Sequence, residues 1–202
     1  MKRQDLLIAT FNQGKFRELR QMLASLPLAI FDLTYFPSVQ LMPENGETFL
    51  QNATLKAAGY AKQTCMLTLA DDSGLEVDAL NGAPGVLSAR YAGENASDAD
   101  RTAKLLRELS GVPERQRTAR FVSVIAIAAE DGNIVNVSSG TCEGRIAREV
   151  RGTNGFGYDP VFVPAGFAQT FAELQPELKN RMSHRSQALT GAYEFLRSLT
   201  AT

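Results

Sequence analysis

Leu6-Leu7-Ile8-Ala9-Thr10-Phe11-Asn12-Gln13-Gly14-Lys15-Phe16 is the stretch from which the architecture can be read. Leu6 to Ala9 are apolar without a break and, with Thr10, read as a buried strand. From Gln13 onward Phe16, Leu19, Met22, Leu23 and Leu26 recur at helical spacing, and Pro27 stops the helix. Residues 28–33 form a second strand. After a loop punctuated by Pro37, Pro43, Asn45 and Gly46, Thr48 and Gln51 fit a capping box for a helix reaching about Gln63. Residues 66–70 form a strand that delivers Asp71-Asp72-Ser73-Gly74 at its C-terminal end. Ser97 with Asp100 opens another helix, whose apolar face is Leu105, Leu106 and Leu109. Residues 120–129 and 134–141 make an antiparallel pair around the Asp131-Gly132 turn. Ile146 and residues 161–163 read as short strands, and residues 186–199 as a closing helix with Leu189, Tyr193 and Leu196 inward. Strand and helix alternate early and an antiparallel pair follows, so the fold class is α/β with a mixed sheet. No linker or repeat interrupts residues 1–202, which are read as a single domain.

The bulk numbers exclude several functions. The 202 residues are 44% hydrophobic and 21% charged, enough for a sizeable core and unlike a disordered chain. The formal net charge of -1 gives no basic field for a nucleic-acid partner, although a small anion needs only a local group of cations. The charged start Met1-Lys2-Arg3-Gln4-Asp5 is followed by an apolar run, Leu6-Leu7-Ile8-Ala9, too short for a signal peptide. The longest apolar run, residues 124–129, is far short of the roughly 18 residues of a membrane span. No membrane association is expected, and a cytoplasmic location is. Cys65 and Cys142 are far apart, and the single histidine cannot complete a usual zinc site with them. Both cysteines read as reduced packing residues.

Four polar clusters carry the chemistry. Thr10 to Lys15 form a strand-to-helix turn whose free N–H groups and lysine suit a phosphate; simple capping by Thr10 or Asn12 would give the same pattern. The turn is not a P-loop, because Ala9 and Phe16 stand where that motif needs Gly and Ser or Thr. Asp71 and Asp72 repel each other unless something compensates them, and Mg²⁺ held by carboxylates would do so. Asp72 then suits a general base and Ser73 a phosphate donor, with a solvated Asx turn as the plain alternative. Glu44 and Glu47, in the preceding loop, are further metal-ligand candidates. Phe156-Gly157-Tyr158-Asp159 offers two aromatic faces for a base among Gly152, Gly155 and Gly157, or else a structural turn. Ser183-His184-Arg185, with Lys179 upstream, places an arginine fork and the histidine beside one another.

Taken in order along the chain, these motifs resemble the inosine/xanthosine triphosphate pyrophosphatase family. The similarity runs through Thr10-x-Asn12-x-x-Lys15, Glu47-Thr48-Phe49 with Asn52-Ala53, and Ala70-Asp71-Asp72-Ser73-Gly74-Leu75. It continues through Gly82-Ala83-Pro84-Gly85, Ser88-Ala89-Arg90-Tyr91, Gly155-Phe156-Gly157-Tyr158-Asp159-Pro160 and Ser183-His184-Arg185. The resemblance implies an elongated mixed β-sheet with flanking helices, two lobes around a central cleft, and a homodimer. It implies Mg²⁺-dependent hydrolysis of noncanonical purine nucleoside triphosphates such as ITP, dITP and XTP to the monophosphate and pyrophosphate. Asp72 would be general base and metal ligand, with Glu44 the preferred second ligand over Glu47. Thr10, Phe11, Asn12, Gln13, Gly14, Lys15 and Ser73 would grip the triphosphate. Phe156, Gly157, Tyr158, Asp159, Lys179, His184 and Arg185 would hold the rest of the substrate, base included. Two positions depart from the family pattern: Phe11 and Asn154 stand where glycine is usual. Alternatives are a pyrophosphatase of the same fold for modified pyrimidine triphosphates, and a nucleotide sensor without turnover.

Overall fold

The computed structural model describes residues 3–200. Met1 and Lys2, the first two residues of the charged N-terminal stretch, lie outside them. Eleven principal elements run in the order β1 (Gln4–Ile8), α1 (Gln13–Met22), β2 (Leu28–Asp32), α2 (Phe49–Thr64), β3 (Thr68–Val77), α3 (Asp98–Glu108), β4 (Thr118–Ala128), β5 (Ile134–Ile146), β6 (Phe162–Pro164), α4 (Pro176–Met182) and α5 (His184–Thr200). One sheet has strand order β2-β1-β3-β4-β5-β6. β1 is parallel to β2 and β3, whereas β5 and β6 are antiparallel. The sheet is therefore mixed, with helices between its strands, as the alternating pattern implied. Gly132 donates its N–H to the carbonyl of Ala129 at 2.8 Å and closes the β4–β5 hairpin at the expected turn.

The chain forms two compact units. The first comprises the described residues up to Asp72, Ser123–Gly140, and the described residues from Arg185 onward; the second comprises Ser73–Val122 and Thr141–His184. Each has its own core. In the first, Leu6, Ile8, Leu19, Leu69, Ile125, Leu189 and Leu196 pack together; in the second, Leu75, Leu105, Phe121, Tyr158, Phe162 and Phe171 do. The apolar face read from Phe16, Leu19 and Leu23 is the face α1 buries.

Local capping explains where the helices begin. Asn12 accepts the Lys15 N–H at 3.0 Å at the start of α1, and Thr48 accepts the Gln51 N–H at 3.2 Å at the start of α2. Ser97 and Asp100 form a reciprocal capping box on α3.

Three elements and one cysteine differ from the expectation. β5 runs unbroken from Ile134 to Ile146, so Ile146 is its end and not a separate short strand. β3 does not stop before the acidic cluster but runs through it to Val77, so Asp71-Asp72-Ser73-Gly74 lies inside a strand. The reason is neutralisation: cations within the protein meet both carboxylates, and the repulsion that would favour a turn is removed. α4 was not anticipated; it is short, and its Pro176 sits at the helix start, where a missing N–H costs nothing. Cys142 is buried, and burial pushes its thiol up to about 11, consistent with a packing residue. Cys65 is not one: it is exposed and ends α2 in a left-handed conformation with φ of 52°.

Candidate active site

The first unit gathers its charges on Asp71 and Asp72. Adjacent residues in a strand point to opposite sides, so the two carboxylates meet different cations. Lys15 Nζ lies 3.0 Å from Asp71 Oδ2, and Arg185 Nε lies 3.2 Å from the same oxygen. The Ser123 hydroxyl donates to Asp71 Oδ1 at 2.5 Å. Arg185 also meets Glu18 at 2.5 Å through Nη1. Burial opposes ionisation of Asp71, but Lys15, Arg185 and the Ser123 hydroxyl overcome it and hold this carboxyl far below the usual aspartate range. Burial lowers the pKa of Lys15, and Lys56 and Arg185 reinforce that against the pull of Asp71.

Asp72 faces Lys56, which arrives from α2. Lys56 Nζ is 2.5 Å from Asp72 Oδ1, 3.0 Å from Glu44 Oε1, and donates to the Asp71 carbonyl at 3.2 Å. Burial works against a charged Lys56, yet Asp72 and Glu44 outweigh it and raise its pKa. Burial also raises the Asp72 carboxyl, and Lys56 and Lys15 offset this only in part. A carboxyl so placed is more basic than an ordinary aspartate.

Sequence reading had assigned Lys56 no part in the site. Its signal was visible: Asn52, Ala53, Lys56, Ala57 and Tyr60 are all buried on one face of α2, and a lysine at core spacing needs a buried acid. Ser123, the one hydroxyl in an otherwise apolar stretch of β4, gave a comparable signal.

Thr10 to Lys15 form the expected strand-to-helix turn. Thr10 Oγ1 accepts the Asn12 N–H at 3.1 Å and so shapes the turn that α1 extends. Phe11, half exposed, does not need a glycine's backbone: among the described residues only Cys65 and Asn81 combine a side chain with positive φ. Asn154 is likewise outside that set, so both departures from the family pattern are conformationally ordinary.

The second unit places a different group of side chains together. Asp159 and Lys179 are both buried, with Lys179 Nζ 2.5 Å from Asp159 Oδ2. The same carboxylate oxygen accepts the Phe156 N–H at 2.9 Å. Lys179 Nζ stands 5.0 Å from the centre of the Phe156 ring. Gly155 has φ of 77°, and a Cβ there would come within 2.0 Å of Asp159 Oδ2, so this turn requires glycine on both counts. Gly157 donates its N–H to Asp98 at 2.6 Å. His184 is buried and stacks on Phe121, with ring centres 4.6 Å apart and planes 10° from parallel.

One expectation needs correction here. Tyr158 has no ring face for a base to stack on: it is only 4% exposed and belongs to the core cluster, and its hydroxyl is bonded to the Ser88 carbonyl. Phe156, only partly buried, is the aromatic that keeps this capacity.

The donor set bears on a metal. Asp72 and Glu44 converge on a single ammonium, so two carboxylates already surround one positive centre. Mg²⁺ is commonly held by one or two carboxylates together with waters and substrate phosphates, and this pair fits that chemistry. Among the described residues no group of three or more histidine, cysteine or acidic side chains is arranged as a self-sufficient metal site. No helix among them is long and apolar enough to cross a membrane.

Comparison with known proteins places the sequence and the fold. The chain is 51% identical over 194 residues to the dITP/XTP pyrophosphatase of Desulforamulus reducens, covering 96% of each chain. It is 50% identical over 186 residues to the protein of the same description from Geobacillus kaustophilus, covering 92% of this chain and 91% of that one. Among solved structures, a HAM1 protein from Coxiella burnetii superposes with a TM-score of 0.87 at 44% identity, covering 96% of this chain and 99% of that one. The Staphylococcus aureus Ham1 protein does so with a TM-score of 0.84 at 39% identity, covering 97% and 100%. The sequence model of the Ham1 family spans residues 6–195, nearly the whole fold including both clusters, and the chain belongs to that family.

Proposed function

We propose that this protein is a nucleoside triphosphate pyrophosphatase that hydrolyses noncanonical purine nucleoside triphosphates, dITP, ITP and XTP, to the monophosphate and pyrophosphate. The observation that carries the reading is the convergence of Lys15, Lys56 and Arg185 on Asp71 and Asp72, in a chain half identical to dITP/XTP pyrophosphatases. A triphosphate brings about four negative charges, and catalysis of phosphoryl-group hydrolysis is chiefly charge stabilisation and positioning.

In this reading Asp72 accepts a proton from the water that attacks the α-phosphorus. Its raised pKa suits the task, and Lys56 orients it. Lys15 and the first turn of α1, with Thr10, Asn12 and Ser73, bind phosphate oxygens. Phe11, Gln13 and Gly14 supply backbone to the same turn. Arg185, engaged by Asp71 and Glu18, positions Asp71 and through it Lys15. Asp72 and Glu44 are the residues to hold Mg²⁺, with Glu47 outside the pair; the bound ion would neutralise charge on the departing pyrophosphate. Phe156 stacks on the base. Lys179, kept in place by Asp159, donates to a purine 6-oxygen, which adenine lacks. His184 and Arg185, read from the sequence as substrate contacts, are both buried; we assign His184 instead to backing the second unit's aromatic cluster, and Arg185 to positioning Asp71. We further propose a cytoplasmic homodimer without a nucleic-acid or membrane partner.

A panel of dITP, XTP, dGTP, dATP, dTTP and dUTP with Mg²⁺, resolved by chromatography, tests the assignment. Monophosphate and pyrophosphate should appear fastest from dITP and XTP. Faster turnover of the pyrimidine nucleotides, or release of orthophosphate in place of pyrophosphate, would overturn it.

A further inference from the structure

The motif Ser88-Ala89-Arg90-Tyr91 takes no part in the reading above, yet its serine joins two segments of the second unit. β3 pairs with β1 only at Thr68 and Leu69, so beyond them that edge of the strand must find other partners. The segment after β3 provides them. Val77 donates its N–H to the Ala83 carbonyl at 3.2 Å, and Gly82 returns an N–H to the Val77 carbonyl at 3.0 Å. Leu75, fully buried, donates its N–H to the Ser88 hydroxyl oxygen at 2.9 Å. That hydroxyl donates in turn to the Gly85 carbonyl at 2.6 Å, which fixes the 3-10 turn Gly85–Arg90. The carbonyl of the same serine accepts the Tyr158 hydroxyl at 2.9 Å, in a buried bond. Burial raises the Tyr158 phenol, so it remains a donor at neutral pH.

We propose that Ser88 is a positioning residue for base recognition, tying the loop of residues 155–159 to β3 just beyond Ser73. This rests on the assignment of Phe156 and Lys179 to the base. Tyr158 lies between the two residues that matter most there: Phe156 lends its N–H to Asp159, and Asp159 holds Lys179. A loop rich in left-handed glycines has no rigidity of its own, and Gly155 and Gly157 both have positive φ. Its position is therefore set by what it is fastened to. The Tyr158–Ser88 bond is the buried fastening to this segment; Lys179 and the Ala172 N–H hold Asp159 from other elements, and Asp98 and Thr102 hold Gly157. Ser88 touches no reacting atom; it acts through Tyr158.

The experiment uses the full chain and steady-state hydrolysis of dITP. Ser88→Ala, Tyr158→Phe, the double variant, Ser88→Thr and Phe156→Ala are compared, with pyrophosphate inhibition measured for each. Tyr158→Phe, which removes the buried bond to the Ser88 carbonyl, and Ser88→Ala, which keeps that carbonyl but frees the turn that holds it, should each raise KM for dITP by about two- to tenfold, with a much smaller change in kcat. Pyrophosphate inhibition should be unchanged, because it reports on the phosphate side alone. The double variant should be no worse than the more damaging single one, and Ser88→Thr, which retains the hydroxyl, should recover the parent KM. Tyr158→Phe preserves the ring, so it carries the test by itself if Ser88→Ala does not fold. A raised KM in Phe156→Ala with unaltered KM in Ser88→Ala and Tyr158→Phe, or effects that multiply in the double variant, would overturn the role of Ser88 alone. An unaltered KM in Phe156→Ala would overturn the base assignment, and the proposal with it.

Discussion

The protein buries acid–base pairs in two places, and the two differ in make-up. In the first unit, Asp71 and Asp72 meet Lys15, Lys56 and Arg185, with Glu18 and Glu44 on the outer sides of the cations. In the second, one carboxylate, Asp159, meets one lysine, Lys179, beside the rings of Phe156 and Phe171. The first arrangement is a dense field of alternating charge in which four carboxylates meet three cations, so a polyanion bound there would need a divalent cation as well. The second is a single donor held against aromatic surface, the part of the proposed site assigned to the base.

The sharpest way to break this contrast is at Asp72. Asp72→Asn keeps the size of the side chain and removes its basicity, so kcat for dITP should fall about 10²- to 10⁴-fold with an unaltered circular dichroism spectrum. Near-parental turnover would remove Asp72 from the role of base.

Asp71 should instead govern stability. Asp71→Asn leaves Lys15 and Arg185 buried without their shared carboxylate, which should cost about 3–5 kcal/mol in urea unfolding at pH 7. Because the folded-state pKa is depressed below the ordinary 3.8, the contribution is fully present above that value and is lost as pH falls below it. The stability gap between parent and variant should therefore narrow on acidification below pH 3.8; a gap independent of pH would show that Asp71 is not ionised in the fold.

On the base side the effects should be smaller and confined to KM. Phe156→Ala should raise KM for dITP by roughly 5- to 150-fold, the equivalent of about 1–3 kcal/mol for one stacked base, without moving pyrophosphate inhibition. An equal loss of affinity for pyrophosphate would mean the two regions are not divided as described. Phe11→Gly should do least. The backbone there does not need glycine and the side chain is half exposed, so stability should shift by no more than about 0.5 kcal/mol in thermal unfolding.

The contrast also marks what could be read from the sequence. β1, α1, α2, α3 and the β4–β5 hairpin were legible because each is announced locally, by an apolar period together with a cap or a turn. The extension of β3 through Asp71 and Asp72 was not, because two adjacent aspartates look like a turn until their cations are known, and those come from 56 and 114 residues away for Lys15 and Arg185. Mg²⁺ was invoked to relieve that repulsion, but the protein's own lysines and arginine already do so. The case for the ion rests instead on Asp72 and Glu44 converging. Lys56 was overlooked because a lysine in a helix is ordinarily solvated; only its place among buried neighbours distinguishes it. Tyr158 illustrates the opposite error. An aromatic beside glycines reads as an open stacking surface, whereas here the glycines shape the loop and the tyrosine anchors it.

The central claim is that Asp72 directs water to the α-phosphorus of a purine nucleoside triphosphate. Hydrolysis of dITP in water enriched in the heavy oxygen isotope, followed by mass spectrometry of both products, measures this directly. The label should appear in the phosphate of dIMP and be absent from pyrophosphate; label found in pyrophosphate would place the attack on the β-phosphorus and contradict the account.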